Sequence, residues 1–265
     1  MRINSNTQHT LHKLSLILTL TVCSLASKAQ SFEIGGMLGG SNYHGDLAYT
    51  IVPSETNASG GIFGRLNFNE FWTMRPSISY LQISGSDSNF SEYKLRNLSF
   101  RNTIYELSNV MELNFRPFSN QRMHAKTTVY ALAGIAAFYH KPEAFFKNQW
   151  VELKPLHTEA KGYQTFQLAI PMGAGIKHAV NDNIIVGFEA AWRKTFTDHL
   201  DDVSTVYPSL PPNGRTLSDR SWEVSEDGLS KASQGDMRGD PNLKDWYFQT
   251  AFTISYRFTP IKCPF

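Results

Sequence analysis

The residues with the most evident chemical potential lie close together near the middle of the C-terminal half. They are Asp198, His199, Asp201, Asp202 and Ser204. A serine, a histidine and a carboxylate are the groups that lipid-modifying membrane enzymes use for catalysis. These five residues are so close in sequence that they could form a catalytic triad only in a tight turn. Polar loop residues are therefore the preferred interpretation, and an enzyme is kept as an alternative.

The same segment offers ligands for a metal ion. Asp198, Asp201 and Asp202 place three carboxylates in five positions, and calcium prefers oxygen ligands. Their spacing differs from that of a calcium-binding loop. Asp and Ser side chains also bond nearby backbone amides and thereby order turns. We predict structural ordering of the loop and no metal site, with these three aspartates as the candidates if an ion binds.

Other catalytic signatures are missing from the sequence. There is no G-x-S-x-G, no H-E-x-x-H and no phosphate-binding glycine loop. The remaining histidines are scattered along the chain. We therefore predict a non-enzymatic protein with no catalytic residue, no cofactor and no small-molecule substrate.

The elements that would position this segment are strands. Trp246 to Phe258 alternates an aromatic and aliphatic face with a polar face that includes Gln249 and Arg257. Its 13 residues exceed the usual length of a soluble strand, about 5–6 residues. A strand that crosses a bilayer needs about 9–11 residues, with apolar side chains toward lipid.

Seven further segments show a related pattern. The clearest are Tyr105 to Phe115, Phe166 to Lys177 and Ile184 to Phe196. In Thr73 to Ser84 the apolar residues Leu81 and Ile83 fall out of phase with Ile78 and Tyr80, which predicts a bulge. The others are listed from the N-terminus: Phe32 to Gly40, Gly61 to Phe68 and the alanine-rich Thr127 to Tyr139, whose phase is ambiguous.

The connections between these eight segments alternate in length. Long polar stretches follow the first, third, fifth and seventh segments, and shorter ones follow the second, fourth and sixth. Outer-membrane barrels have long extracellular loops and short periplasmic turns. The sequence therefore predicts an all-β, eight-stranded, antiparallel, up-and-down transmembrane β-barrel in the outer membrane of a Gram-negative cell. Both mature termini would be periplasmic, and the barrel would contact membrane lipid.

Charged residues within the segments fall almost entirely on the polar faces. Such a barrel is only wide enough for side chains to fill, so four acidic and five basic residues would pair and plug it. We expect no open pore. The predicted interior charges are Glu33, Arg65, Glu106, Glu112, Arg116, Lys177, Glu189, Arg193 and Arg257.

The N-terminus predicts a cleaved signal peptide over residues 1–29, followed by one barrel domain over residues 30–265. Basic residues precede an apolar run from Leu14 to Val22, and small residues surround Lys28. Without the leader, the 25 basic residues lose Arg2, Lys13 and Lys28, leaving 22 against 23 acidic ones. This balance gives no reason to expect nucleic-acid binding.

The stretch from Arg193 to Tyr207 resembles a signature of the PorG-like family, outer-membrane barrels of Bacteroidetes that are associated with the type IX secretion system. The stretches Glu33 to Leu47 and Asp245 to Phe258 are similar to the family's first and last strands. One departure is His199, where the family favours an aromatic residue. The resembling positions are Arg193, Thr195, Phe196, Thr197, Asp198, Leu200, Asp201, Asp202, Val203, Ser204 and Tyr207.

The resemblance implies a component or anchor of the secretion machinery that contacts a periplasmic ring of proteins. The turn from Pro117 to Lys126 is the longest periplasmic connection, and Arg122, His124 and Lys126 are the candidate contacts. A merely solvated turn is the alternative. At the level of function, the alternatives are a surface adhesin or receptor that acts through extracellular loops and the lipid-modifying enzyme considered above.

Overall fold

The computed structural model describes residues 31–118, 125–209 and 217–258. The proposed signal peptide lies outside these residues. Alternating apolar and polar residues form nine strands: β1 (Ser31–His44), β2 (Asn57–Asn67), β3 (Trp72–Ser86), β4 (Ser99–Asn114), β5 (Thr127–Phe146), β6 (Gln149–Glu152), β7 (Phe166–Ala179), β8 (Ile184–Thr195) and β9 (Trp246–Phe258). Five single-turn 3-10 helices lie between them: Pro53–Glu55, Asp87–Asn89, Ser91–Tyr93, Lys154–Leu156 and Ser221–Glu223. None of the helices in the described ranges has the length and apolarity to cross a membrane.

Eight of these strands form a closed antiparallel barrel. The sheet order is β4-β3-β2-β1-β9-β8-β7-β5, and β5 also pairs with β4, which closes the circle. The first and last barrel strands pair from Phe32↔Phe258 to His44↔Trp246. The predicted eight-stranded up-and-down barrel is confirmed.

Connections at the two ends of the barrel differ in length. Turns T1 (68–71), T2 (115–126, described at 115–118 and 125–126) and T3 (180–183) join strands at one end, here called the turn end. Loops L1 (45–56), L2 (87–98), L3 (147–165) and L4 (196–245, described at 196–209 and 217–245) join strands at the other, the loop end. Ser31 and Phe258 are both at the turn end, as expected from the alternation.

Three details of the strands differ from expectation. β3 has no bulge, because its register with β4 is continuous from Trp72↔Leu113 to Ser86↔Ser99. Leu81 and Ile83 face inward and are fully buried, so the interior itself changes from polar to apolar toward the loop end. β5 also continues past Tyr139 to Phe146 and returns as β6, a hairpin that sequence reasoning assigned to a loop.

The outward face of the barrel is an apolar belt. Its exposed side chains come from every barrel strand, and include Leu38, Ile62, Ile78, Leu107, Ile135, Leu168, Phe188 and Phe252. Aromatic side chains border the belt at both ends. Near the turn end Phe32 stacks on Phe258 at 5.9 Å, and near the loop end Tyr80 packs against Tyr105 at 5.5 Å.

Three other aromatic side chains near the two ends of the barrel lie inside it. Tyr43 and Phe138 are buried in the apolar cluster at the loop end. Phe118, in T2, folds inward beneath the barrel, where the Nζ atom of Lys177 lies 5.3 Å from its ring centroid. Each end of the lumen is therefore closed by at least one aromatic ring.

Candidate functional site

The turn half of the lumen contains a network of buried ion pairs. Glu112 is its centre, with oxygens 3.0 Å from Arg65 Nε, 3.2 Å from Arg75 Nη1 and 2.8 Å from Lys177 Nζ. Arg75 also donates two hydrogen bonds to Glu189, at 2.6 and 2.9 Å. Because charges are costly to bury unless paired, this sharing is what permits so many of them in one barrel.

The network extends toward both ends of the barrel. Glu33 accepts from Arg257 Nε at 3.0 Å and from Arg65 at 3.4 Å near the turn end. Farther up, Glu106 lies 3.3 Å from Arg193 Nε and accepts a 2.6 Å bond from the Tyr247 hydroxyl. The lumen is therefore filled by paired side chains along more than half its height.

Eight of the nine predicted interior charges lie in this network. They are Glu33, Arg65, Glu106, Glu112, Lys177, Glu189, Arg193 and Arg257. Arg116 does not lie there, because β4 ends at Asn114 and the strand alternation no longer applies beyond it; Arg116 is exposed in T2. The fifth interior base is Arg75, which sequence reasoning missed because its strand was read as bulged. Its inward alternation with Thr73 and Ser77 was the signal available.

The segment from Arg193 to Tyr207 connects this network to a lid over the loop end. Arg193 and Thr195 still belong to β8 and face inward. The chain then crosses the mouth of the barrel, where Leu200 and Val203 are buried in the apolar cluster with Leu81 and other strand residues. We call this lid, formed by residues 196–207 with the parts of L1, L2, L3 and L4 bonded to them, the loop cap.

Individual polar residues of this segment hold neighbouring loops. Asp198 accepts from the Ser204 hydroxyl at 2.6 Å, and Thr195 donates to the Asp245 carbonyl at 2.5 Å. Asp202 adopts a positive φ of 66°, a conformation that aspartate tolerates better than most residues. Its carboxylate accepts from the Thr158 and Tyr163 hydroxyls of L3. Thr197 and Tyr207 are also buried, whereas Phe196 is exposed.

A carboxyl pair lies at the centre of the loop cap. The Tyr43 hydroxyl is 2.7 Å from Asp201 Oδ2 and 2.7 Å from Asp245 Oδ1. A phenol has one hydrogen to donate. At least one of the two carboxyl groups must therefore carry a proton and donate to the phenol oxygen, so the pair holds at most one negative charge. Asp201 also accepts from Val203 N, and Asp245 accepts from Leu200 N.

Two arginines fasten the outer layer of the loop cap. Arg238 Nη1 is 2.9 Å from Glu159, and Arg238 also donates to the Asp202 carbonyl. Arg96 donates two bonds to Asp87, at 2.8 and 2.6 Å, and one to the Arg238 carbonyl at 2.6 Å. These pairs join L2, L3 and L4, which are far apart in sequence, so sequence reasoning could not find them.

Burial shifts the pKa values of several carboxyl groups in the loop cap. It raises the pKa of Asp201 and of Asp245 well above the ordinary range; the nearby Asp46 charge adds to the rise for Asp201, and the Asp201 charge adds to the rise for Asp245. Burial also raises the pKa of Asp46 to about 6. Glu159 behaves oppositely: burial acts to raise its pKa, but the Arg238 charge and the bonds from Thr205 and Ser204 outweigh it and lower the pKa.

The candidate metal and catalytic residues have other partners. Asp198, Asp201 and Asp202 bind different groups, and no cluster of three or more acidic, histidine or cysteine side chains suits a metal ion within the described ranges. His199 packs its ring on Tyr163 at 4.6 Å, while Ser204 donates directly to Asp198. The histidine is therefore not placed between a hydroxyl and a carboxylate, as a relay requires.

At the turn end, only part of the candidate contact surface can be described. Lys126 is exposed, and its carbonyl accepts from Ala179 N at 2.8 Å. Arg122 and His124 lie outside the described residues. Phe118 N donates to the Glu70 carbonyl at 3.1 Å, which ties T2 to T1.

Several solved structures have a similar shape. The chain resembles OprG from Pseudomonas aeruginosa, with 9% identity, a TM-score of 0.47 and coverage of 88% of this chain and 98% of OprG. Neisserial surface protein A has 10% identity and a TM-score of 0.43, and the match covers 86% of this chain and 97% of that protein. Ail of Yersinia pestis has 13% identity and a TM-score of 0.41, covering 87% and 99%. At such low identity these likenesses carry no functional information.

Sequence comparison gives a family. Among curated proteins, none matches the chain. The family described as Domain of unknown function (DUF6089) matches residues 11–210, which include seven of the eight barrel strands and the whole Arg193 to Tyr207 segment. The chain belongs to this family.

Proposed function

We propose that this protein is a non-enzymatic β-barrel of the bacterial outer membrane that serves as an anchor. The apolar belt with aromatic borders supports the membrane location, because a bilayer is the environment in which such a surface is buried. Long loops face the exterior in such barrels, so the loop end would be extracellular and the turn end periplasmic.

Cysteine labelling in intact cells tests this orientation. In a Cys263→Ser background, Leu229→Cys in L4 should react with a membrane-impermeant maleimide, since Leu229 is exposed at the loop end. Asn181→Cys in T3 should react only after the outer membrane is permeabilised. The reverse labelling pattern would overturn the orientation.

The filled lumen is the observation that carries the anchor role. Glu112, Arg75 and Glu189 fill the turn half of the lumen with their charges paired, and the loop cap closes the other end. Purified protein in a planar bilayer should therefore show no conductance steps of the size that open porins give. Such steps would contradict an anchor and favour a channel.

At a finer level, we propose a role in type IX secretion through a periplasmic ring of proteins. The resemblance of Arg193 to Tyr207 to the PorG-like signature supports this role. The exposed side chain of Lys126 and the T1–T2 contact at the turn end suit a rigid docking surface. Affinity purification after crosslinking should recover periplasmic ring proteins, and a combined Arg122→Ala, His124→Ala and Lys126→Ala variant should lose them and the secretion of cargo. The matched control is Asn181→Ala in T3.

A surface receptor is the second candidate, and one feature of the loop cap favours it. A groove of about 330 Å³ lies between L2 and L4, lined by Tyr93, Leu95, Tyr207 and Met237 among others. Leu95 and Met237 are both more than 60% exposed and line the same groove, and adjoining exposed apolar side chains are a feature of interaction sites. Leu95→Ser with Met237→Ser should abolish attachment to a host surface if this role holds, and should leave secretion unchanged.

The lipid-modifying enzyme is the least supported alternative. His199→Ala should leave lipid A unchanged by mass spectrometry, because His199 packs on Tyr163 rather than on Ser204. A changed lipid A profile in that variant would support the enzyme alternative.

A further inference from the structure

One side of the barrel wall rises above the apolar belt. The outward residues Tyr80, Tyr105 and Tyr139 lie side by side in register and form the aromatic border there. Beyond them β3 and β4 remain paired up to Ser86↔Ser99, and β5 continues to pair with β6. At about 3.3 Å per residue, this extension projects roughly 15–20 Å along the strands past the tyrosines.

A groove of about 400 Å³ lies on the outward face of this extension. It forms because β2 stops pairing with β3 at Ser59↔Leu81, and L1 lies against the free part of β3 instead. Ser84 Oγ donates to the Glu55 carboxylate of L1 and accepts from Nδ2 of Asn57, the first residue of β2, at 2.9 Å, which fixes the end of L1 there. The groove is lined by Glu55, Asn57, Gln82, Ser84, Arg101 and Trp150, among others.

Trp150 forms the apolar wall of the groove. The guanidinium of Arg101 lies 3.8 Å from the Trp150 ring centroid, and the Phe145 ring packs against Trp150 in an edge-to-face arrangement with 5.4 Å between the centroids. The indole nevertheless remains 45% exposed. Hydroxyl, amide and carboxylate groups beside a rigid, partly exposed indole are the chemistry that binds sugars, because sugars combine many hydroxyls with apolar C–H faces.

Charge around the groove argues against a phosphate ligand. Arg101 and Lys141 are the nearby cations, and both bind Glu143, at 2.7 and 3.2 Å. Glu55 lies in the groove and accepts from Asn89 at 2.9 Å, and Glu152 lies 3.5 Å from Lys141. With three carboxylates against two cations, uncharged sugar hydroxyls fit better than an anion.

We infer that this groove binds the sugar portion of a glycolipid in the surrounding outer leaflet. The inference rests on the proposed outer-membrane orientation. The outward strand faces are continuous from the apolar belt to the groove, so lipid whose tails cover Leu107 and Ile135 presents its headgroup at the level of Arg101 and Trp150. Bound glycolipid would order the membrane around the anchor on this side.

The test uses the full mature protein in detergent with core oligosaccharide released from lipopolysaccharide, measured by calorimetry. Wild-type protein should bind it, and Trp150→Ala and Gln82→Ala should each weaken binding, the former by about tenfold or more. The matched control is Trp192→Ala, since Trp192 is also 45% exposed and outward-facing but belongs to the belt. It should bind within about twofold of wild type.

Two further comparisons distinguish failure of the sugar-binding inference from failure of the proposed membrane orientation. Lipid A without core sugars should bind equally to wild type and Trp150→Ala, since the groove would not contribute. No binding of the oligosaccharide by folded wild-type protein, or equal binding by Trp150→Ala, overturns the inference. Because this measurement needs no membrane, it can fail while cysteine labelling supports the orientation, and the two failures are thereby distinguished.

Discussion

The two halves of the lumen are filled by different kinds of side chain. The turn half is filled by long charged side chains that neutralise one another, with Glu112 bound by three cations. The loop half is filled by apolar side chains such as Leu81 and Leu200, and the carboxylates above them belong to loops that fold over the mouth. The first arrangement depends on strand register alone, whereas the second depends on loops that must find one another.

This difference has a consequence for stability. Each ion pair of the turn half joins residues whose strands are already fixed by backbone hydrogen bonds, so little extra conformational entropy is lost in forming it. The loop cap orders long irregular segments, which cost more entropy per contact. We therefore expect the loop cap to open locally while the barrel stays folded.

The largest effect should follow from breaking the turn-half network. Glu112→Gln leaves Arg65, Arg75 and Lys177 with one negative charge fewer, and uncompensated buried charge costs about 3–5 kcal/mol. Urea titration with the gel-mobility shift of the folded barrel would measure the loss. The control Glu223→Gln breaks an ion pair at the surface of L4 and should cost about 1 kcal/mol or less. Equal losses would contradict the distinction between the halves.

A smaller and local effect should follow in the loop cap. Tyr43→Phe removes the hydroxyl between Asp201 and Asp245, and an unsatisfied buried polar group costs about 1–3 kcal/mol. Hydrogen exchange should increase in residues 198–207 but remain unchanged in the strands at the level of Glu112. Loss of protection throughout the barrel would show that the two halves unfold as one unit.

The loop cap should also respond to pH in a direction set by its acids. The folded pKa values of Asp201, Asp245 and Asp46 are raised above the usual 3.8, so their contribution to stability is complete below that value. It is lost as pH rises through the folded pKa, which for Asp46 is about 6. Exchange protection of residues 198–207, corrected for intrinsic rates, should fall about tenfold between about pH 5 and about pH 8.

Asp245→Asn tests the shared proton behind this response. An asparagine at this position can accept from Leu200 N and donate to the Tyr43 oxygen, so it reproduces the protonated carboxyl without titrating. The variant should keep the cap closed with a flatter pH profile. Asp227→Asn, an exposed change in L4, should retain the wild-type profile. A wild-type slope in Asp245→Asn would assign the pH response to Asp46 and contradict a contribution from the carboxyl pair.

The smallest effect should distinguish two arginines that sequence reasoning confused. Arg116→Ala should change stability by less than about 0.5 kcal/mol, because the side chain is exposed beyond the end of β4. Arg75→Ala should cost several times more, because it leaves Glu189 without its two 2.6 and 2.9 Å bonds. Comparable losses in the same urea titration would contradict the placement of these side chains.

Much of the fold follows from the alternation of the sequence. Side chains alternate between the two faces of a strand, so the two faces of Trp246 to Phe258 can be assigned from the sequence before its neighbouring strands are known. Assignment of faces from the alternation failed where the lumen changes from polar to apolar, although the strand itself continues regularly. Leu81 and Ile83 looked out of phase because inward positions are polar in the turn half and apolar in the loop half.

The sequence by itself determined the number of barrel strands, most inward charges, and which end carries the loops, because these depend on local spacing. Tertiary structure alone decided which charges meet and what the conspicuous aspartates do. Asp201 and Asp245 meet at Tyr43, which is 158 and 202 residues away in the chain. No local pattern encodes such a contact. It exists because barrel closure places the end of β1 beside the start of β9, and the mouth of the barrel leaves one place for L4 to fold.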